Sequence, residues 1–146
     1  MNKEHFSVIK LDKTFGATVR DVKLSKVTEG EVKELYSLWL RHSLLIFPDQ
    51  HLSTKEQIEF AKLFGVMEFD LAPISNVRSD GSIRDPIDDD IVKSLRGNME
   101  WHHDSTYMPI QAKGSVFTAH QVPAEGGETG WADMTAAYDA LDQKMK

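Results

Sequence analysis

Two segments near the start of the chain alternate between hydrophobic and polar residues. The alternation covers residues 6–11 and 17–22, and both segments carry β-branched side chains. Such side chains suit the pleated backbone of a strand, whose residues point to opposite faces in turn. Phe15-Gly16 lies between the two segments and is a turn signal. The pattern therefore predicts two short strands separated by a turn.

The pattern then changes to the period of a helix. Over residues 31–41 the apolar side chains fall on one helical face, formed by Val32, Leu35, Leu38 and Trp39. Thr28 is the predicted N-cap, and Glu31 three residues later completes the pattern of a capping box. A helix that begins after Thr28 and buries one face is therefore expected.

A third strand and a second helix are predicted next. The apolar run at residues 43–47 ends at Pro48-Asp49, which is typical of a buried strand. Residues 54–64 return to the helical period, and Gly65 is the expected stop. The residues of this helix that we expect to face the core are Ile58, Ala61, Leu63 and Phe64.

Regular patterns fade between residues 66 and 99. Pro73, Asp80-Gly81, Pro86 and the acidic run Asp88-Asp89-Asp90 interrupt this region. An ordered domain keeps so long a connection mainly when it has a function, such as covering a site. We therefore predict that residues 66–99 form a mobile loop that covers a substrate.

Three more strands and a helix are predicted beyond this loop. The strands cover residues 100–107, 114–122 and 128–134, and the helix covers residues 135–141 with Thr135 as its N-cap. Strands combined with a helical layer indicate the α+β class with an antiparallel sheet. The strands after residue 100 have the pattern of half a sandwich rather than of a whole one.

Composition narrows the class of protein. A chain of 146 residues, 40% hydrophobic and 27% charged, is typical of one globular domain. It contains no apolar run of about 18 residues and no signal-peptide core near Met1, so we expect a cytoplasmic protein without a membrane partner. The absence of cysteine excludes disulfides, thiolate zinc sites and cysteine nucleophiles. A net charge of −6, without a basic stripe interleaved with aromatic residues, argues against nucleic acid as a partner.

His102 and Asp104 carry the clearest chemical signal. If Trp101-His102-His103-Asp104 is extended, the imidazole of His102 and the carboxylate of Asp104 share a face, and His103 points away. That pair supplies two of the three ligands in the arrangement of two histidines and one carboxylate, which leaves open positions on Fe(II). The alternative is a surface cluster with hydrogen-bonding roles only, because the His-x-Asp pattern is common.

Thr129 follows a tight turn. Gly126-Gly127 is expected to reverse the chain and to place Thr129 on the next strand. A threonine hydroxyl in a sheet can donate a hydrogen bond to a ligand carboxylate. Alternatively, Thr129 is an ordinary strand residue, favoured there by its branched side chain.

In their order along the chain, these motifs resemble the TauD/TfdA family, the taurine and 2,4-dichlorophenoxyacetate dioxygenases. The resemblance is carried by Trp101-His102-His103-Asp104, by Val122-Pro123 with Gly126-Gly127-Glu128-Thr129, and by Ala132-Asp133-Met134. Upstream, Phe15-Gly16-Ala17 and the segments 40–50 and 60–65 are also similar to the family. The resemblance therefore extends over essentially the whole chain.

The resemblance implies a fold, a reaction and a set of site residues. The fold is α+β, with a double-stranded β-helix (jelly-roll, cupin-like) core and flanking helices, of which residues 1–146 supply the amino-terminal portion. His102 and Asp104 match the residues that bind Fe(II), Thr129 matches the threonine that binds a carboxylate of 2-oxoglutarate, and Asn98 matches a substrate-binding position. The expected partners are 2-oxoglutarate, oxygen and a small organic acid, which is hydroxylated while 2-oxoglutarate is decarboxylated to succinate.

The branch of the family favours one class of substrate. Ile74-Ser75-Asn76-Val77 and Ala132-Asp133-Met134 are similar to the phenoxyacetate branch. Where taurine enzymes carry a substrate-binding histidine, this chain has Glu68-Phe69-Asp70. We therefore expect an aryloxyalkanoate-like or sulfonate-like acid rather than taurine itself.

The resemblance also implies that part of the site is missing. The family's second iron-binding histidine and its 2-oxoglutarate-binding arginine lie near the carboxyl end of chains roughly twice as long. The other candidate histidines, His5, His42, His51 and His120, do not match that position. We therefore expect the isolated chain to be inactive, and we expect a homo-oligomer because half a sandwich leaves strand edges open.

Two other interpretations remain at this point. One is a catalytically dead family fragment that acts as a binding or oligomerisation module. The other is a zinc hydrolase or cupin-like metal protein that uses His102, His103 and Asp104. No further ligand-spaced motif accompanies those three residues, which makes the zinc interpretation the weaker one.

Overall fold

The computed structural model describes residues 6–69 and 71–146. The chain divides into two compact units. The first unit comprises Met1–Gly65 and Phe117–Lys146, and the second comprises Val66–Val116. The helices in the described part of the chain are all too short or too polar to cross a membrane.

The first unit contains a three-stranded sheet in the order β1-β2-β3. Strand β1 is Ser7–Lys10, β2 is Ala17–Arg20 and β3 is Leu45–Ile46. Strands β1 and β2 are antiparallel, with Val8 opposite Val19, whereas β2 and β3 are parallel. All three strands were predicted, but the expectation of a wholly antiparallel sheet was wrong. A helix connects β2 to β3, and such a crossover returns the chain in the same direction.

The turn before β2 depends on Gly16. Its φ of +94° lies in the left-handed region that glycine adopts readily. Its N–H donates to the carbonyl of His42 over 2.8 Å, and its carbonyl accepts from the N–H of Leu11 over 3.0 Å. A Cβ at this position would lie 2.7 Å from Cδ1 of Leu11. The Phe15-Gly16 signal therefore marks a position where the backbone angle favours glycine and where an added Cβ would displace the side chain of Leu11.

Helix α1 spans Glu29–His42 and begins with the predicted capping box. The hydroxyl of Thr28 accepts from the N–H of Glu31 over 3.3 Å, and the carboxylate of Glu31 accepts from the N–H of Thr28 over 2.6 Å. Leu35 and Leu38 are buried, as the helical period predicted. The first turn of α1 is therefore fixed by groups three residues apart, and its apolar face packs into the core.

Helix α2 spans Thr54–Lys62, and a second capping box between Ser53 and Glu56 starts it. Phe60 is the buried aromatic residue of this helix, and its ring contacts Phe47 and Phe64. Two predictions fail here. Leu63 is about half exposed because the helix ends before it, and Ile46 in β3 is 41% exposed because β3 is an edge strand.

The second unit contains a helix that the sequence did not predict. Helix α3 spans Asp90–Gly97, with Asp89 as its N-cap, inside the region predicted to be a loop. An antiparallel bridge joins Val77 to Ile83 upstream of it. The substrate-covering function of residues 66–99 stays a prediction.

The strands predicted after residue 99 were wrong. In the part of the chain that the structure describes, residues 100–107, 114–122 and 128–134 form no strand. Alternation of side chains assigns faces, but a strand is stabilised by hydrogen bonds to a neighbouring strand. The final helix, α4, is present at Met134–Asp139, but its N-cap is Asp133, which accepts from the N–H of Ala136 over 2.9 Å. Thr135 lies within the first turn instead.

Replacing Gly16 by alanine tests the turn that orders β1, β2 and α1. We expect Gly16→Ala to lower the free energy of unfolding by about 3 kcal/mol, because strain in the left-handed region adds to a steric clash with Leu11. The control is Gly81→Ala, where φ is +85° but no atom lies within 4 Å of the added Cβ, so only about 1 kcal/mol should be lost. Urea unfolding followed by circular dichroism measures both, and equal losses would contradict the steric part of the explanation.

Candidate metal and cosubstrate site

The side chains of His102 and Asp104 meet in the second unit. Nε2 of His102 lies 3.1 Å from Oδ1 of Asp104. The two residues do not lie on a strand, since the backbone turns from Asp104 to Tyr107. The predicted convergence of an imidazole and a carboxylate is present, although neither residue belongs to a strand.

A backbone carbonyl fixes the orientation of the His102 ring. Nδ1 of His102 lies 2.7 Å from the carbonyl oxygen of Glu100, and because a carbonyl only accepts, Nδ1 is the donor. A neutral ring with its proton on Nδ1 carries a lone pair on Nε2, which here faces a carboxylate oxygen. Two lone pairs 3.1 Å apart are stabilised by a cation between them, either a proton or a metal ion.

The same contacts change the pKa of His102. The hydrogen bond to the Glu100 carbonyl raises the pKa above 6.5, partial desolvation opposes this, and the charge of Asp104 and its hydrogen bond raise the pKa further. A raised folded-state pKa means that the pair stabilises the fold fully below the unfolded pKa. This contribution is lost as the pH rises through the raised value.

Ser105 makes the turn that follows Asp104. It has a φ of 62°, is only 6% exposed, and its carbonyl accepts from the N–H of Met108 over 3.0 Å. Serine is not among the residues that favour this conformation, and Ser105 adopts it in a buried position. This turn was missed because Asp104-Ser105-Thr106, although rich in turn-favouring residues, was included in the strand predicted at residues 100–107.

His103 makes its contacts elsewhere. Its Nδ1 lies 2.7 Å from the backbone carbonyl of Asp104 and 2.8 Å from Nε2 of Gln111. Among the described residues, no group of three or more His, Cys, Asp or Glu side chains is arranged to hold a metal ion. The geometry therefore gives no support to a zinc site of His102, His103 and Asp104.

The two other predicted site residues lie in exposed positions. Asn98 is the C-cap of α3, and its N–H donates to the carbonyl of Ser94 over 3.2 Å. Its side chain is exposed and lies four residues before His102. Thr129 belongs to the first unit, where it is exposed and outside any strand. Its predicted place on a strand was wrong, whereas the binding functions of Asn98 and Thr129 stay predictions.

The remaining histidines have other surroundings. His42 is buried at the end of α1, and burial lowers its pKa, assisted by the charges of Lys10 and Arg41. His51 and His120 are exposed. His5 lies outside the described residues. His42 is therefore a core residue.

An open, mostly apolar hollow of about 500 Å³ lies in the first unit. Its lining residues are Leu11, Lys13, Thr14, Phe15, Leu44, Ile46, Trp131 and Asp133. Trp131 is 50% exposed although it lines this hollow. A large aromatic side chain with this exposure marks a surface suited to contact with another apolar group.

Comparisons with known proteins match this chain over nearly its whole length. The family model described as "Taurine catabolism dioxygenase TauD, TfdA family" matches residues 7–146. The (S)-phenoxypropionate/alpha-ketoglutarate-dioxygenase of Sphingobium herbicidovorans is 56% identical over 142 residues, which cover 97% of this chain and 50% of that protein. The alpha-ketoglutarate-dependent 2,4-dichlorophenoxyacetate dioxygenase of Cupriavidus pinatubonensis is 35% identical, covering 90% of this chain and 51% of that one.

A solved structure is also similar. The crystal structure of AAD-2 in complex with Mn(II) and N-oxalylglycine superimposes with a TM-score of 0.91 at 37% sequence identity. The superposition covers 96% of this chain and 51% of that chain, and it confirms the predicted fold class. The chain spans about half the length of the relatives it matches.

Removing the charge of Asp104 tests the geometry around His102. We expect Asp104→Asn to lower the pKa of His102 towards 6.5, because the charge and the hydrogen bond that raise it are lost. The control is Asp80→Asn in the same unit, because the carboxylate of Asp80 binds Ser82. Titration of the His102 ring protons by NMR measures the change, and an unaltered pKa in Asp104→Asn would contradict the contact.

Proposed function

The chain belongs to the TauD/TfdA family of dioxygenases, and from this premise we propose that it supplies part of the active site of an Fe(II)- and 2-oxoglutarate-dependent dioxygenase. The observation that carries the proposal is the pairing of His102 Nε2 with Asp104 Oδ1 over 3.1 Å. The hydrogen bond from Nδ1 to Glu100 leaves Nε2 free to coordinate a metal ion.

The donor set fits the proposed metal. Imidazole nitrogen and carboxylate oxygen are the ligands of the facial arrangement that leaves open positions on Fe(II). Mn(II), which the AAD-2 crystal contains, is a neighbouring divalent ion that accepts the same ligands. When bound, the metal supplies the oxygen chemistry that decarboxylates 2-oxoglutarate and hydroxylates the organic acid.

Residues of this chain bind the metal ion, 2-oxoglutarate and the substrate, and they orient the metal ligands. The carbonyl of Glu100 fixes the ring of His102, and Asp104 contributes a negative charge that favours a divalent cation. We assign the hydroxyl of Thr129 to a carboxylate of 2-oxoglutarate and the amide of Asn98 to the substrate. Residues 66–99 cover the bound substrate and exclude water during the reaction.

An aryloxyalkanoate-like acid is the proposed substrate. Relatives named for phenoxypropionate and for 2,4-dichlorophenoxyacetate support this choice, at 56% and 35% identity. N-oxalylglycine, present in the AAD-2 crystal, has the skeleton of 2-oxoglutarate with N–H in place of one methylene group, which supports 2-oxoglutarate as the cosubstrate.

The proposed site needs groups beyond those described. His102 and Asp104 are two ligands, whereas the facial arrangement uses three. An arginine that would form a bidentate pair with 2-oxoglutarate is also not assigned in this chain. We therefore propose that activity requires a polypeptide equivalent to the other half of the relatives.

Completing the fold provides a direct test of the proposed function. In a chimera, this chain replaces the matching half of the Sphingobium enzyme, to which it is 56% identical. We expect succinate release from 2-oxoglutarate that depends on Fe(II) and on (S)-phenoxypropionate. His102→Ala and Asp104→Ala should each lower the rate at least about a hundredfold, since each removes a metal ligand.

The matched control in the chimera is His103→Ala, because that imidazole contacts Gln111 and the Asp104 backbone instead of the Asp104 carboxylate. It should retain most of the rate. A folded chimera that releases no succinate would overturn the proposed function. Equal losses for His102→Ala and His103→Ala would contradict the assignment of the ligands.

A binding or oligomerisation module is the second candidate function, and, like the first, it requires another polypeptide to cover the exposed surface. The accessible surface is 11984 Å², whereas a compact monomer of this mass exposes about 7,600 Å². Two separate compact units of these lengths would still expose only about 9,000 Å². The excess is of the size that obligate interfaces bury, roughly 2,000–5,000 Å².

The isolated chain tests the second candidate function. With Fe(II), ascorbate and 2-oxoglutarate, we expect it to release almost no succinate, because the third metal ligand and the arginine are lacking. Sedimentation should show self-association that weakens in Trp131→Asp, since this change places a charge beside the apolar hollow. Rapid succinate release by the isolated monomer would contradict both expectations.

A further inference from the structure

We propose that Asp89 is a positioning residue, which fixes the start of α3 and thereby the Glu100 carbonyl that orients His102. The effect of Asp89 on metal binding rests on the proposed function. The positioning of His102 by Asp89 rests only on contacts within the second unit. Asp89 lies 13 residues before His102 in the sequence.

Groups from α3 and from two arginines converge on the carboxylate of Asp89. Oδ1 accepts from the N–H of Ile91 over 3.0 Å, which caps α3. Oδ2 accepts from Nη2 of Arg78 over 2.9 Å and from Nη1 of Arg84 over 3.3 Å. The side chain of Asp89 is only 11% exposed, so water competes weakly for these contacts. One carboxylate therefore connects a helix N-terminus to two guanidinium groups.

The two arginines belong to the two arms of a short hairpin. The N–H of Arg78 donates to the carbonyl of Ser82, and the N–H of Arg84 donates to the carbonyl of Asn76, each over 2.8 Å. Nη1 of Arg78 also donates to the carbonyl of Ile83 over 3.1 Å. Both arginines therefore belong to one hydrogen-bonded turn, and Asp89 attaches α3 to that turn.

The position of the Arg84 side chain also depends on Asp89. Its Nε is buried and has no hydrogen-bond partner. Burying an unsatisfied donor on a cation is unfavourable, and a paired carboxylate offsets this cost. The ion pair with Asp89 is therefore what keeps the guanidinium of Arg84 in this position.

The charge state of Asp89 is consistent with this function. Burial alone would raise its pKa, but the N–H groups of Ile91 and Val92 and the charge of Arg84 together hold the pKa below 3.8. The carboxylate is therefore ionised at neutral pH, as pairing with two arginines requires.

A continuous series of hydrogen bonds leads from α3 to His102. At the end of the helix, the N–H of Met99 donates to the carbonyl of Arg96 over 3.1 Å, and the N–H of Glu100 donates to that of Gly97 over 3.4 Å. The carbonyl of Glu100 then accepts from Nδ1 of His102 over 2.7 Å. A change at the start of the eight-residue helix α3 therefore alters the group that selects the His102 tautomer.

The neighbouring acids supply a matched control. Asp88, Asp89 and Asp90 are consecutive, yet only the middle residue is partly buried. Asp88 is exposed, and its backbone carbonyl, rather than its carboxylate, accepts from Nζ of Lys93 over 3.1 Å. Replacing the Asp88 side chain therefore changes the local charge by the same amount without removing these contacts.

The experiment compares Asp89→Ala, Asp89→Asn and Asp88→Asn in the chain itself. Amide hydrogen exchange reports on the C-cap of α3 and the turn after it, and the ¹⁵N shifts of the His102 ring report on its tautomer. For Asp89→Ala we expect exchange at Asn98, Met99 and Glu100 to accelerate at least about fivefold, because the helix cap and both ion pairs are lost. The ring should also lose its preference for a proton on Nδ1.

Asp89→Asn distinguishes the loss of the helix cap from the loss of the negative charge. Asparagine caps a helix about as well as aspartate, but it cannot neutralise Arg78 and Arg84. We expect the same two signals to change, by a smaller factor than in Asp89→Ala. If Asp89→Ala unfolds the second unit, the signals of Asp89→Asn decide the question. Unchanged exchange and unchanged ring shifts in a folded Asp89 variant, or equal changes in Asp88→Asn, would overturn the inference.

A metal readout in the chimera separates this inference from the proposed function. Asp89→Asn should raise the Fe(II) concentration that gives half-maximal rate about threefold to tenfold, with little effect at saturating Fe(II), whereas Asp88→Asn should not. If exchange and ring shifts change but no chimera releases succinate, the proposed function fails and the positioning of His102 by Asp89 stands. If the chimera is active and Asp89→Asn alters none of these quantities, the inference fails alone.

Discussion

The candidate site depends on one hydrogen bond, from Nδ1 of His102 to the carbonyl of Glu100. This bond decides which ring nitrogen carries the proton, and so directs the lone pair of Nε2 towards Asp104. Without it, the imidazole and the carboxylate would still be near one another in sequence but would not be arranged to share a cation. The position of the Glu100 carbonyl is therefore the constraint from which the chemistry of the site follows.

The backbone around this bond is irregular, and that irregularity has a structural basis. The turn that follows α3 presents the Glu100 carbonyl, while Ser105, in the left-handed region, turns the chain away directly after Asp104. Alternation alone places residues two apart on one face of a strand. Here His102 and Asp104 lie outside any strand, between the end of a helix and a tight turn.

Local features of the sequence were predicted well, and features that depend on distant contacts were not. The capping box of Thr28 and Glu31 and the turn at Gly16 were found because the interacting groups lie within a few residues of one another. The strands expected after residue 99 failed because alternation cannot show whether a partner strand is present. Helix α3 was missed because its N-cap, Asp89, lies within an acidic run typical of a loop, and its ion pairs with Arg78 and Arg84 span 11 and 5 residues.

Binding of Mn(II) to the isotopically labelled chain tests most directly whether His102 and Asp104 share a cation. A paramagnetic ion broadens the NMR signals of the nuclei nearest to it, so the ligands are identified without any turnover. We expect the ring signals of His102 to broaden at the lowest Mn(II) concentrations, an effect that Asp104→Asn abolishes and His103→Ala leaves intact. Broadening that persists in Asp104→Asn, or that disappears in His103→Ala, would contradict the proposed pair.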